Sequence, residues 1–223
     1  MRLSGEQDMK HCVDNLERNV VDMESMTPSG STLRYYADHA DTFIQATIDA
    51  DMSESRDRFL AYLPAGTHIL DFGCGSGRDA KTFLESGYQV DAVDGSEELC
   101  RLAGEITGIP VRQMLFQELD AKDLYDGIWA CASILHLPKR ELQDVVHRIA
   151  AALKPGGILY TSFKYGNFEG IRSGRYFTDF TEESLTEFWA QFPALKTTEL
   201  WITQDVRPGR EEERWINLLA RRV

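Results

Sequence analysis

The stretch His68-Ile69-Leu70-Asp71-Phe72-Gly73-Cys74-Gly75-Ser76-Gly77-Arg78-Asp79 runs from an apolar strand through a glycine-rich turn into a helix. Glycine lets a backbone bend sharply and approach a ligand with no Cβ in the way. In a doubly wound sheet, the turn after the first strand is where such ligands bind. The glycines alternate as G-x-G-x-G, and Arg78 stands where the dinucleotide fingerprint G-x-G-x-x-G has its third glycine. The ligand of this turn therefore need not be a dinucleotide.

Working outward, the next β-rich run ends in Asp94, 21 positions beyond Gly73. An acid there accepts hydrogen bonds from ribose hydroxyls, so turn and acid together point to a cofactor that carries a nucleoside. Strands are expected at His68 to Phe72, Gln89 to Asp94, Val111 to Phe116, Asp126 to Cys131 and Gly157 to Phe163. Helices are expected between them, near Asp79 to Ser86, Glu97 to Glu105 and Pro138 to Leu153, the last opened by a proline in its first turn. This alternation predicts an α/β, Rossmann-like doubly wound sheet.

Upstream, Leu33, Tyr36, Ala37, Ala40, Phe43, Ile44 and Ile48 recur mostly at spacings of three and four, which predicts one amphipathic helix. A second follows near Glu54 to Leu63. Residues 1–30 are polar and end in the turn-rich Thr27-Pro28-Ser29-Gly30, marking an N-terminal extension or lid ahead of a single domain over 31–223. Downstream, Gly166 to Thr178 reads as a polar loop, and Glu182 to Phe192 as a helix capped by Thr181. Its capping box is incomplete, because Ser184 stands where Glu or Gln is required. Thr197 to Thr203 and Arg214 to Arg221 read as a hairpin that adds an antiparallel C-terminal strand to a mostly parallel sheet.

A length of 223 residues suits one α/β-sized domain with trimmings. With 43% hydrophobic and 27% charged residues the composition is that of an ordinary globular protein, which excludes disorder and disulfide miniproteins. The net charge of −12 opposes a polyphosphate backbone, so no nucleic-acid partner is expected. The four cysteines are scattered with no ligand spacing, which implies reduced thiols and no metal site. No run reaches the roughly 20 apolar residues of a membrane helix, and the N-terminus lacks the apolar stretch of a signal peptide. A cytoplasmic monomer or homodimer is expected.

From Tyr36 to Val223 the chain resembles the class I S-adenosylmethionine-dependent methyltransferases. Asp71-Phe72-Gly73-Cys74-Gly75-Ser76-Gly77 is similar to their first motif, Asp94 to their ribose-binding acid, and Leu153-Lys154-Pro155-Gly156-Gly157 to their late motif. The final hairpin is similar to the one bearing the family's reversed strand, which implies seven strands. Tyr36 to Phe43 and Ala130-Cys131-Ala132-Ser133-Ile134-Leu135-His136 look most like small-molecule members of the tellurite-resistance and quinone-biosynthesis type.

The resemblance implies S-adenosylmethionine as cofactor, S-adenosylhomocysteine as product and a small-molecule acceptor. Gly73, Gly75 and Gly77 would pass beneath the methionine part, Asp71 would face its ammonium and Asp94 the ribose. Gly95 and Ser96 would edge the adenosine, Phe116 would pack on the adenine, and Gln117 or Glu118 would bond its amino group. Ala132 would lie beside the cofactor and Tyr36 would close over it. Arg78 would pair with the cofactor carboxylate; its alternative is an exposed first-turn residue. His136 is a candidate general base, with a structural histidine as the alternative. Tyr165, Arg172 and Arg175 are candidates for gripping an acceptor, in particular an anionic one. Cys74 and Cys131 read as small apolar packing. The rival functions are an NAD(P)-dependent oxidoreductase and a non-catalytic S-adenosylmethionine-binding protein.

Overall fold

In the computed structural model, which describes residues 27–223, the apolar run ahead of the glycine turn is strand β1, His68–Phe72. It lies between β2 (Gln89–Asp94) and β4 (Tyr125–Ala130), parallel to both. With β3 (Val111–Gln113), β5 (Leu153–Lys164), β8 (Leu195–Gln204) and β9 (Arg214–Arg222) they form a seven-stranded sheet. The order is β3-β2-β1-β4-β5-β9-β8, and β9 runs antiparallel to both of its neighbours. The winding reverses between β1 and β4, where the carboxyl ends of the strands leave a crevice.

Strand side chains alternate between the two faces of a sheet. Leu70, Phe72, Ile128 and Ala130 accordingly enter one core, together with Leu142, Val145, Val146 and Ile149 of helix α6 (Lys139–Ala152). Ile69 and Trp129 enter the other, against Phe59 of α3 (Ser53–Leu60) and Phe83 of α4 (Arg78–Glu85). Trp129 stacks on Tyr160 with ring centroids 3.9 Å apart. Burial on both faces is why these strands read as nearly continuous apolar runs.

Several elements depart from expectation. The helix predicted from Leu33 to Ile48 is two, α1 (Pro28–Asp38) and α2 (Ala40–Thr47). They break at His39, where φ of −126° and ψ of 20° leave the helical region; its N–H and its imidazole Nδ1 both bond the Tyr35 carbonyl, at 3.1 and 2.8 Å. Thr27-Pro28-Ser29-Gly30 is no turn but the start of α1, with the Thr27 hydroxyl accepting from the Gly30 N–H. The expected N-terminal arm lies, for residues 1–26, outside the described residues.

Strand β3 stops at Gln113, and Phe116–Glu118 is a 3-10 turn in which the Glu118 carboxylate accepts the Leu115 N–H at 2.7 Å. Pro138 precedes α6 as its cap rather than opening its first turn. The loop expected from Gly166 to Thr178 contains a hairpin, β6 (Glu169–Arg172) and β7 (Arg175–Thr178). Ser173 and Gly174 connect the two strands with φ of 51° and 78°, the left-handed pair that matches hairpin twist. Ser184 also completes the capping box of α7 (Glu182–Trp189): its hydroxyl accepts the Thr181 N–H at 2.9 Å while its own N–H reaches Thr181 Oγ1. α5 (Glu97–Thr107) leaves β2 through a Ser96 cap. Among the described residues no helix is long and apolar enough to cross a membrane.

Candidate active site

The carboxyl ends of β1, β2, β4 and β5 open into a cavity of about 630 Å³ roofed by α1 and α2. Its floor is the glycine turn. The Gly73 and Cys74 N–H groups both donate to the Val93 carbonyl at 2.9 Å. Asp94 ties the turn to the start of α5, accepting from the Gly75 N–H and the Ser96 N–H at 2.9 Å each.

Gly73 and Gly75 line the cavity, whereas Gly77 does not. At Gly77, with φ +74°, a Cβ would lie 2.8 Å from Thr107 Cγ2 and 3.2 Å from Ala103 Cβ on α5. Gly77 is thus a packing glycine. Gly77→Ala is expected to cost about 2–4 kcal/mol of stability from left-handed strain and overpacking together; a urea midpoint equal to the parent's would contradict this.

Asp71 and Asp94 both line the cavity, and neither has an ion-pair partner among the described residues. Burial, reinforced by the neighbouring charge of Asp79, holds the Asp71 carboxyl well above the usual carboxylate range. Burial also raises Asp94, against the backbone N–H groups that bond it. Asp79 behaves oppositely. Burial pushes it up, but the guanidiniums of Arg78 and Arg56 outweigh that and hold it below the ordinary range.

The sequence reading missed Asp79, which is the hub of a buried cluster. It accepts from Arg56 at 2.9 Å, from Arg78 at 2.6 and 3.1 Å, and from Trp129 Nε1 at 2.9 Å. Arg78 lines the cavity with its remaining Nη on the Thr47 carbonyl at 3.2 Å. It is therefore neither exposed nor free: Asp79 holds the face that was expected to meet a cofactor carboxylate.

Phe116, Gln117, Gly95 and Ala132 line the cavity. Phe116 meets the Phe72 ring edge-on at 4.9 Å, and the Gln117 amide donates to Glu141 at 2.8 Å. Ala132 has a left-handed φ of 49° and donates its N–H to Ser162 Oγ at 2.9 Å. Ser96 and Glu118 lie outside the lining, Ser96 behind Asp94 as the helix cap and Glu118 turned back onto Leu115.

His136 is buried, with Nδ1 2.6 Å from the Tyr176 carbonyl and Nε2 2.8 Å from the Tyr36 hydroxyl. A carbonyl only accepts, so Nδ1 carries the proton and Nε2 accepts from Tyr36. Burial pushes its pKa down to about 4. His136 lines the cavity, but the ring is neutral and its basic lone pair is engaged by the Tyr36 hydroxyl.

Of the three residues expected to grip an acceptor, Arg175 lines the cavity and the other two do not. Tyr165 lies beneath the Arg214 guanidinium at 4.4 Å, and Arg172 is paired with Asp179 at 3.0 Å. Cys131 borders the cavity, but burial pushes its thiol up to about 12. Cys74 is likewise raised by burial, so neither is a ready thiolate.

A family model described as a methyltransferase domain matches residues 69–157. The O-methyltransferase resE of Aspergillus sclerotiorum is 33% identical over 104 residues, 43% of this chain and 39% of that protein. The ubiquinone biosynthesis O-methyltransferase of Xanthomonas axonopodis pv. citri is 32% identical over 106 residues, 44% of each. The chain thus spans less than half the length of these curated relatives. Among solved structures, Burkholderia thailandensis 1,6-didemethyltoxoflavin-N1-methyltransferase, with bound 1,6-didemethyltoxoflavin and S-adenosylhomocysteine, matches with a TM-score of 0.68. Identity is 25%, over 86% of this chain and 85% of that one.

Sheet order, glycine turn and family match define the class: a Rossmann-like, class I S-adenosylmethionine-dependent methyltransferase fold. The N-terminal helices that roof the cavity and the C-terminal strands that extend the sheet lie outside the matched residues 69–157.

Proposed function

We propose that the protein transfers the methyl group of S-adenosylmethionine to a small-molecule acceptor. One observation carries this reading: Asp71, buried, and Asp94, half-buried, have no ion-pair partner among the described residues and line one cavity together with Gly73 and Gly75. The residues present fit the cofactor. Asp71 suits an ammonium, Asp94 the ribose hydroxyls, and Gly95 and Phe116 the adenosine. When bound, S-adenosylmethionine supplies a methyl group on a cationic sulfonium. The chain's part is to hold acceptor and cofactor in line and to exclude water, which falls to Tyr36 and Phe43 in the roof.

A cavity of about 630 Å³ lies in the size range of small-molecule sites, and a net charge of −12 disfavours nucleic acid. The three free cysteines among the described residues suit a reducing compartment, and we place the protein in the cytoplasm. The NAD(P) alternative is weakened because Arg78, at the third fingerprint position, is pinned to Asp79.

Calorimetry with S-adenosylmethionine and S-adenosylhomocysteine tests the proposal, with NADH as the control. Both sulfur ligands are expected to bind saturably. In the free protein burial favours the protonated Asp71 carboxyl, and an ammonium beside it favours the ionised form. Binding should therefore release a proton, and affinity should rise with pH through the free Asp71 titration. The heat should vary with the ionisation enthalpy of the buffer in the sense of proton release, and Asp71→Asn should abolish that variation. Absence of saturable binding by either sulfur ligand sinks the reading.

A further inference from the structure

We infer that Arg175 anchors a subsite for a carboxylate on a planar acceptor, so that the acceptor is a small aromatic anion. The word acceptor rests on the methyltransferase reading; the subsite does not. Five basic side chains line the cavity: Arg78, Lys164, Arg175, Arg207 and Arg210. Four are ion-paired within the fold. Asp79 holds Arg78, Asp205 holds Arg207 and Lys164, and Glu213 holds Arg210 and, again, Lys164. Arg175 is the one without a carboxylate partner among the described residues.

Its other contacts define what it awaits. An Nη lies 3.5 Å from the Tyr36 hydroxyl, and the guanidinium sits over the ring faces of Tyr35 at 4.4 Å and Phe177 at 5.2 Å. Its Nε is buried with no hydrogen-bond partner among the described residues. Buried donors are nearly always paired, and a guanidinium presents its donors as a rigid planar fork. Stacking on aromatic faces fixes the plane of the guanidinium and leaves its edge for a bidentate anion, the geometry in which a carboxylate is bound best. The walls beside it, Tyr36, Phe43 and Phe177, are aromatic and suit a flat ring as the body of the ligand. Asp71 and Asp94 line the same cavity and suit the cationic cofactor.

The probe is benzoate, with benzamide as its neutral counterpart of like shape, titrated by calorimetry into the full chain saturated with S-adenosylhomocysteine. Benzoate is expected to bind at least tenfold more tightly than benzamide. Arg175→Gln should weaken benzoate about ten- to a hundredfold, as expected for loss of charge-assisted hydrogen bonds, and leave S-adenosylhomocysteine affinity within about twofold of the parent. Arg175→Lys, which keeps the charge and loses the fork, should retain the preference for benzoate at reduced affinity. Arg172→Gln, whose parent guanidinium is taken by Asp179, should change neither ligand.

The inference is overturned if benzoate and benzamide bind alike, if neither binds, or if Arg175→Gln leaves benzoate affinity intact. It is equally overturned if that variant weakens S-adenosylhomocysteine more than benzoate, because the guanidinium would then serve the cofactor carboxylate. Should S-adenosylhomocysteine fail to bind the parent at all, the methyltransferase reading falls. The benzoate preference, and its loss in Arg175→Gln, still decide the subsite on the free protein.

Discussion

Asp94→Ala is expected to weaken S-adenosylhomocysteine binding by at least about a hundredfold. Hydrogen bonds to a charged group contribute about 1.5–3 kcal/mol each, and a carboxylate that takes both hydroxyls of a ribose loses two of them; at 1.4 kcal/mol per decade that is two orders of magnitude or more. Asp94 also bonds the Gly75 and Ser96 N–H groups, so its removal loosens the turn on which the rest of the ligand would lie. Asp94→Asn keeps one acceptor oxygen and should fall between the two. Calorimetry beside a thermal melt separates binding from folding. An Asp94→Ala protein that melts like the parent and binds S-adenosylhomocysteine equally well would remove Asp94 from the cofactor site.

Asp94 and the glycine turn were legible because their signal is local. One βα unit fixes the spacing from Gly73 to Asp94, and the β1–β2 register sets Phe72 opposite Val93, one residue before the acid. Arg78 and Asp79 were equally visible as letters, yet what they do depends on Arg56 and Trp129, which only the folded sheet brings to them. No spacing rule encodes that meeting. Glu118 was misjudged for a different reason. β3 is only three residues long, so the chain leaves the sheet at Gln113 and a 3-10 turn redirects the side chains that follow. Arg172 and Arg175 fall in the stretch that reads as a polar loop, whereas Ser173-Gly174 between two short β-rich runs is a hairpin signal in plain view. His136 could be located but not characterised, since its tautomer and its neutrality come from Tyr36 and Tyr176, distant in sequence.

Asp79→Ala is expected to cost about 3–5 kcal/mol of folding stability, the range found when one member of a buried ion cluster is removed. The cost arises from what remains. Arg56 and Arg78, with side chains only 14% and 18% exposed, would face each other with no counter-charge, and the Trp129 indole N–H would lose its acceptor inside the aromatic core. For a chain of this size that corresponds to a melting temperature lower by roughly 10 °C. Asp79→Asn should cost less, because an amide oxygen still accepts from Trp129 or one guanidinium.

The pH dependence gives a second handle. The folded state holds the Asp79 carboxyl below its ordinary range, so its stabilisation is complete above the unfolded carboxylate pKa and is lost as pH falls through the folded one. The gap between parent and Asp79→Ala should therefore narrow on acidification. Replacing Arg56, Arg78 and Asp79 together by apolar residues of similar volume should recover most of the loss, since it leaves no buried charge unpaired. Urea unfolding at neutral and acidic pH measures all of these. If Asp79→Ala lies within 1 kcal/mol of the parent at neutral pH, the cluster is not what joins α3, α4 and β4 beneath the cavity.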